Sequence, residues 1–554
     1  MEWWKKTIVY ELYPKSFQDT TGSGTGDIAG IRKRLDYLQS LGIGAVWLTP
    51  VCRSPMVDNG YDIADYCSID PSYGTMEEFE ALLKEAKERG IGIVMDLVFN
   101  HTSDQNPWFL ESKKSKDNPY SSWYIWRDAK ADGSEPTNWR GIFGGSAWTW
   151  CEERQQYYLH TFAAQQPDLN WAEPAVRKAL YDAANFWIRK GAAGFRVDAI
   201  TYIRKPDVFE DGVPDGEDGM ISVHDMTANT PGILDYLYEW KREVSDGKNI
   251  FTVAEANGVS ADELQYWVGE HGAFDMLFEF SHVNLEFKGV ETWCRPDPWT
   301  ISDLKQALRN SQNATKDNGW YPAFFENHDK PRSNSHYFEA GADMKKASKV
   351  IGTVLYTLRG TPFLYQGQEL GYANTAMESI EDYDDISSHG QYAFALEEGL
   401  TPAQAMACVH AYSRDNARTP MQWDDSENAG FTTGRPWLPV HSCYKTENVA
   451  YEEKDPDSVL NWYRLLARLR RKYPVFTEGS FTEVFAESGD LLAYRRETQD
   501  EDLFVIVNFK NKPVTYDPAV HFGMQVLLAS DQKPEDGVMR PLEAVLRYRR
   551  KERI

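Results

Sequence analysis

Residues 191–200 read GAAGFRVDAI, an apolar run that ends on Arg196 and Asp198. Read as a strand, residues 194–198 are buried along their length and open onto a charged pair at the C-terminal tip. In a parallel α/β barrel that tip is where chemistry is done. An arginine two residues before an aspartate is most simply a structural pair in a chain with 84 acidic residues. Its meaning therefore depends on what surrounds it.

Working outward, apolar runs that predict strands lie at 7–13, 45–48, 91–98, 194–198, 250–255, 274–278, 321–327 and 362–366. Between the first two, Ile28, Ile31, Leu35, Leu38 and Leu41 mark one helix face that stops at Gly42. Thr75 and Glu78 form a capping box ahead of Phe79, Leu82, Leu83 and Ala86, and that helix ends at Gly90. Strand and helix alternating at this tempo predict parallel βαβ units, and eight strands predict a (β/α)8 TIM barrel. The rhythm breaks after the third strand, where 104–173 is polar and rich in Trp, Tyr, Gly and Asn. We read it as an inserted subdomain, with the barrel over 1–103 and 174–478. A last helix over 458–473 precedes Pro474, and alternation with hairpins then predicts an antiparallel β-sandwich domain over 479–554. Its charged end, RYRRKERI, reads as a solvated tail.

The net charge of −25 disfavours nucleic acid and anionic membranes as partners. The 19 Trp and 30 Tyr suit sugars, whose C–H faces stack on aromatic rings. Six cysteines without a CxxC spacing read as buried free thiols in a reducing compartment. The N-terminus shows no signal-peptide pattern and no apolar run reaches membrane-spanning length, so a cytoplasmic protein is expected. Its partner is expected to be a small oligosaccharide, and the chain a monomer or weak homodimer.

The strand ends share one set of residue types. Strand three carries Asp96 and leads to Asn100 and His101. Strand four carries Arg196 and Asp198, strand five Glu255, and strand seven leads to His328 and Asp329. Breaking a glycosidic bond with retention needs an ionised carboxylate as nucleophile and a protonated one as acid. Arg196 is expected to hold Asp198 ionised. Glu255, in the less charged setting Val-Ala-Glu-Ala, is expected to be raised by desolvation. Asp329 is expected to bind sugar hydroxyls, with His101 and His328 as neutral hydrogen-bond partners. Neither histidine lies in a metal-type i,i+4 pair, so no metal is expected there.

DLVFNH, GFRVDA, VAEANGV and ENHD resemble the four conserved regions of the α-amylase superfamily, glycoside hydrolase family 13. QPDLN, from Gln166, is similar to its fifth region in the oligo-1,6-glucosidase-like subfamily, and RDNARTPMQWD, from Arg414, to a signature of the exo-acting α-glucosidases. The resemblance runs in order along nearly the whole chain. It implies a barrel, an insertion and a C-terminal β domain, with Asp198 as nucleophile, Glu255 as acid/base and Asp329 as transition-state stabiliser. It also implies that Asp62 and Arg418 pair to close the pocket on a terminal glucose. Tyr61 would be the stacking platform and Phe162 would line the acceptor side.

Ala199 after the nucleophile, where valine goes with α-1,6 preference, resembles the α-1,4-specific members, and Ala256-Asn257 points the same way. An exo-acting retaining α-glucosidase with α-1,4 preference is the expected activity. The alternatives on the same fold are hydrolysis of α-1,6 glucosides, isomaltulose or sucrose, isomerisation of sucrose, and hydrolysis of trehalose 6-phosphate. The loop of residues 19–27 stands where many relatives bind Ca2+, but Thr21 and Ser23 replace an amide and a carboxylate. No required cofactor and at most weak Ca2+ binding are expected. The same loop resembles that of trehalose-6-phosphate hydrolases. The RLDRD-type loop of sucrose isomerases is not seen beside Asp329.

Overall fold

The structure is a computed structural model that describes residues 2–260, 262–287, 291–531 and 533–552. Eight parallel strands form its centre: β1 Val9–Leu12, β2 Ala45–Leu48, β3 Gly92–Val98, β4 Gly194–Asp198, β5 Phe251–Glu255, β6 Met276–Phe278, β7 Pro322–Ala323 and β8 Thr361–Tyr365. The hydrogen-bonded order is β6-β5-β4-β3-β2-β1-β8-β7, a (β/α)8 barrel with its seam between β6 and β7. The strands are buried almost throughout, because helices cover the outer face while side chains fill the inside. At the seam, Phe278 meets Phe324 edge-on at 5.1 Å and Phe363 of β8 at 4.8 Å. Aromatic packing closes the ring there.

The ladder of β7 is shorter than the run 321–327 suggested. Its two pairs with β8 are Pro322–Thr361 and Ala323–Pro362, so each includes a proline that cannot donate. The capping box is present: Glu78 N donates to Thr75 Oγ1 at 3.2 Å and Thr75 N to Glu78 Oε2 at 2.9 Å. The first expected helix is two, Ile28–Lys33 and Leu35–Leu41, broken where Arg34 leaves helical geometry. Gly42 ends the second with φ +86°, a left-handed cap that glycine adopts without strain.

The excursion after β3 folds as a three-stranded antiparallel sheet of 126–127, 148–151 and 156–159. A further short strand, Trp139–Arg140, pairs in parallel with Ile221–Ser222 from the loop after β4. Trp139, Trp148, Leu159 and Val223 share one small core. The excursion and the β4 loop thus make one wall over the strand ends.

Beyond the helix Val459–Lys472, five antiparallel strands follow: β9 Ser480–Val484, β10 Leu491–Glu497, β11 Glu501–Asn508, β12 Gln525–Ala529 and β13 Ala544–Arg550. Their order is β9-β10-β11-β13-β12, with a separate two-stranded ribbon of Val514–Thr515 and Val538–Met539. The charged C-terminal stretch is not a free tail. Residues 547–550 belong to β13, an inner strand, and residues 553–554 lie outside the described residues. The cysteines also differ from expectation: Cys52 is buried, Cys67 is exposed and the other four are intermediate. Among the described residues no helix is long and apolar enough to cross a membrane.

Truncating Phe278 removes the ring that joins both sides of the seam. Phe278→Ala is expected to destabilise the protein by about 3–5 kcal/mol, read as a lower denaturant midpoint in urea unfolding.

Candidate active site

Arg196 lies in β4 opposite Asp96 of β3 and Val253 of β5. It is 1% exposed, so its charge has to be met by protein. Nη1 donates to Asp96 Oδ1 at 3.0 Å and to Asp198 Oδ1 at 2.5 Å, and Nη2 contacts Glu255 Oε2. Trp47 Nε1 and Tyr61 Oη donate to Asp96 Oδ2 at 3.1 and 3.0 Å. One guanidinium therefore gathers three carboxylates from three adjacent strands.

This corrects two expectations. Glu255 is not in a weakly charged setting, since it contacts Arg196 directly. Asp198 is pushed well above the ordinary aspartate range by its burial, against the pull of Arg196, and the charges of Glu255 and Asp96 add to the rise. A positive neighbour does not suffice to keep a buried carboxylate low when other carboxylates share it.

Asp329, just past β7, sits in a different field. Arg418 Nη2 lies 2.8 Å and Arg414 Nη1 3.3 Å from its Oδ1, and His328 Nε2 lies 3.1 Å from its Oδ2. Burial alone would raise Asp329, but His328 and the two arginines hold it well below the usual carboxylate range. His328 is not the neutral partner expected. Burial would lower it, yet Asp329 and Glu11 bring it up to about 9. Tyr61 stacks on the His328 ring at 5.2 Å with 4° between the planes, so the platform and the cation form one unit. Burial lowers His101 against the charge of Asp168, and its Nε2 lies 3.0 Å from Tyr61 O. Gln166 Nε2 donates to Asp58 Oδ2 at 3.0 Å and to Tyr61 O at 3.3 Å.

The structure does not pair Asp62 with Arg418. Asp62 is fully buried and accepts from Ser54 Oγ at 2.9 Å, Val57 N at 3.0 Å and Asp58 N at 3.1 Å, and burial pushes it up to about 6. It folds its own turn. The cross-pocket pair is Arg414 with Asp58, Nη2 to Oδ1 at 3.1 Å, with Asp385 also on Arg414 Nη2 at 2.6 Å. Sequence alone could not choose between these partners. Asp58 and Asp62 lie four residues apart in DNGYD, as Arg414 and Arg418 do in RDNAR.

These groups open onto a cavity of about 700 Å3. Asp58, Tyr61, His101, Asp198, Glu255, Asp329 and Arg414 are among its lining residues, while Arg196, His328, Gln166 and Arg418 contact that lining without belonging to it. Phe162 also lines the cavity, at ring distances of 5.7 Å from Phe143 and from Tyr202 and 5.2 Å from His101. Sequence reasoning missed Phe143, Tyr202 and the neighbouring His224, which come from the two loops that pair as one wall.

Among the described residues no cluster of three or more His, Cys, Asp or Glu is arranged to hold a metal. In the 19–27 loop, Asp19 accepts N–H bonds from Thr21, Gly22 and Gly24, and Asp27 accepts from Thr20 N and Gly30 N. Both carboxylates are held by backbone donors of the loop and the helix start.

A barrel with paired carboxylates at the strand ends, in an aromatic-walled pocket, defines a glycoside hydrolase. The α-amylase catalytic-domain family model matches residues 11–479. The chain is 43% identical over 512 residues to an oligo-1,6-glucosidase of Parageobacillus thermoglucosidasius, covering 92% of this chain and 91% of that one. It is 40% identical over 554 residues to a trehalose-6-phosphate hydrolase of Bacillus subtilis, covering 98% of each. The crystal structure of an isomaltulose synthase from Protaminobacter rubrum superposes with a TM-score of 0.94 at 38% identity, covering 99% of both chains. The chain belongs to the α-amylase family, glycoside hydrolase family 13.

The two neighbouring aspartates are separable by mutation. Asp58→Ala is expected to raise KM for a nitrophenyl α-glucoside about 10- to 100-fold, the equivalent of about 1.5–3 kcal/mol for a lost charged hydrogen bond. Asp62→Asn is expected to lower thermal stability with kcat and KM changed less than about threefold, near the noise of such contacts. Parallel kinetics and melting curves on both variants check this.

Proposed function

We propose that this enzyme is an exo-acting, retaining α-glucosidase that releases glucose from the non-reducing end of short α-glucosides, with α-1,4 linkages preferred. The observation that carries the reading is the placement of Asp198 and Glu255 on the two terminal nitrogens of one guanidinium. Retention works with carboxyl groups about 5–5.5 Å apart, whereas inversion needs about 6.5–9.5 Å to admit a water. Two groups on one arginine fork fit the closer arrangement.

In this reading Asp198 attacks the anomeric carbon from the deep side. Glu255 is the more open of the two and stands beside Ala256 and Asn257 on the cavity wall. It protonates the leaving oxygen and then takes a proton from the water that releases glucose. Asp329 is ionised and supplies negative charge against the oxocarbenium-like transition state. The Asp58–Arg414 pair closes the inner end on a terminal ring, with Tyr61 as its platform, which supports exo action. No cofactor enters this chemistry, and all its groups come from one chain.

Ala199 supports the α-1,4 preference. It lines the cavity beside Asp198 with φ +45°, a backbone conformation in which a β-branched side chain is strained. The α-1,6 reading is favoured by the relatives named oligo-1,6-glucosidase. Hydrolysis of trehalose 6-phosphate is disfavoured by charge. Among the described lining residues, the Lys and Arg side chains are Lys330 and Arg414, and each is already paired with carboxylates. Glu279, held down to about 2 by His282 and hydroxyl donors despite burial, adds a fixed negative charge.

Initial rates on maltose, maltotriose, isomaltose, isomaltulose, sucrose, trehalose and trehalose 6-phosphate test the substrate. Maltose and maltotriose are expected to lead, and isomaltose ahead of maltose would refute the linkage argument. Asp198→Asn is expected to lower kcat by at least about 1,000-fold, as loss of a nucleophile does. A parent-like rate would remove Asp198 from its role.

A further inference from the structure

Glu11 lies in the middle of the barrel floor. It is 2% exposed, sits at the third position of β1, and takes no part in the mechanism above. Its Oε1 lies 2.7 Å from His328 Nδ1 and accepts the His328 backbone N–H at 3.2 Å. The other imidazole nitrogen, Nε2, lies 3.1 Å from Asp329 Oδ2. Nδ1 is hydrogen-bonded to the Glu11 carboxylate, and Nε2, which has no aligned hydrogen bond, stands at ion-pair distance from the Asp329 carboxylate, so acidic groups on both sides of the ring favour the cation. Tyr61 stacks on one face of the ring, Tyr13 stacks at 6.2 Å, and Trp47 meets it edge-on at 5.9 Å, so the ring has no room to turn away.

We infer that Glu11 is a positioning residue that keeps His328 as an imidazolium and, through it, fixes the orientation and ionised state of Asp329. The chain Glu11–His328–Asp329 spans from β1 to the loop after β7, next to Arg196 through the rings of Trp47 and Tyr61, which contact both Arg196 and His328. It gives the third carboxylate a cation of its own rather than a share in the Arg196 cluster. The inference rests on the role proposed for Asp329. It also uses the charges around the ring. Glu11 comes from β1 and Asp96 from β3, Arg196 stands on β4, and Arg418 donates from Nε to the His328 carbonyl at 2.9 Å. Arg414 and Arg418 meet the far side of Asp329. Burial pulls Glu11 itself upward, with His328 opposing. The geometry supports the charged pair, because Glu11 Oε1 accepts the His328 backbone N–H as well as facing Nδ1, and two N–H donors on one oxygen favour the carboxylate.

Glu11→Gln is isosteric and keeps an acceptor on Nδ1 while deleting the charge. NMR of the protein labelled with 15N-histidine, with His328 assigned by its loss in His328→Gln, reads the proton directly. In the parent both His328 nitrogens are expected to stay protonated above pH 8. In Glu11→Gln the titration is expected to fall by more than about one pH unit, the tenfold step of one lost charge interaction. The ratio of variant to parent kcat is then expected to drop by at least about twofold between pH 5.5 and pH 8, and more if the titration falls further. The variant loses the proton in that range while the parent largely keeps it, and the pH dependence that both enzymes share cancels in the ratio. KM is expected to change less than kcat. A neutral His328 in the parent at pH 7, an unmoved titration in Glu11→Gln, or a kcat ratio that does not vary with pH would each overturn the inference. A merely structural role for Glu11 gives that last result. A parent-like rate in Asp329→Asn would instead remove the role on which the inference rests, while leaving the measured charge of His328 intact.

Discussion

The buried guanidinium of Arg196 is the constraint on which the site depends. Three carboxylates on adjacent parallel strands, all largely out of water, would repel one another strongly at low dielectric. A single arginine cannot neutralise them. It can give each a fixed donor and set their spacing. The parallel register makes this possible, because Asp96 and Arg196 face each other across β3 and β4 while Asp198 and Glu255 end their strands together. Burial raises Asp198, and the surplus negative charge of Glu255 and Asp96 adds to that rise. Such a cluster is poor for stability and suited to a positively charged transition state.

The Asp329 side of the pocket uses the opposite arrangement. Here one carboxylate is surrounded by His328, Arg414 and Arg418, and it is ionised without competition. The two halves of the site therefore have different proton economies. Beside Arg196 three carboxylates compete for one cation and burial pushes Asp198 upward, while on the Asp329 side the carboxylate has three cations to itself. Both depend on elements far apart in sequence, since Glu11 reaches His328 across 317 positions and Arg418 reaches Asp329 across 89.

That distance explains what was legible in the sequence. Strand and helix tempo is local, so the barrel, the Thr75–Glu78 capping box and the carboxylates at the strand ends could be read from short windows. The shortness of β7 was readable in principle from Pro322 and Pro362, but only once their register was known. The pairing of 139–140 with 221–222 has no local signal at all. The Asp58–Arg414 pair was hidden by symmetry, since each motif offers two equivalent residues at the same spacing. The states of His328 and Asp198 were misjudged for one reason: charge in a buried site is set by all neighbours together, and a sequence shows only those adjacent in the chain.

Ala199 shows how the fold and the chemistry meet at one residue. The chain must leave β4 sharply, directly after Asp198, and it does so in the left-handed region with φ +45° and ψ +34°. That conformation costs a non-glycine residue about 1–2 kcal/mol, and strain of this kind persists where the surroundings over-determine it. Here the return is position. The turn brings Ala199 N to 3.4 Å from Glu255 Oε2, the oxygen that Arg196 also holds. The residue after Asp198 thus touches the site twice, through its backbone on the carboxyl of β5 and through its side chain on the cavity wall. A larger side chain there would change the shape of the wall and the stability of the turn together, so preference at this position is coupled to the geometry of the carboxylate pair.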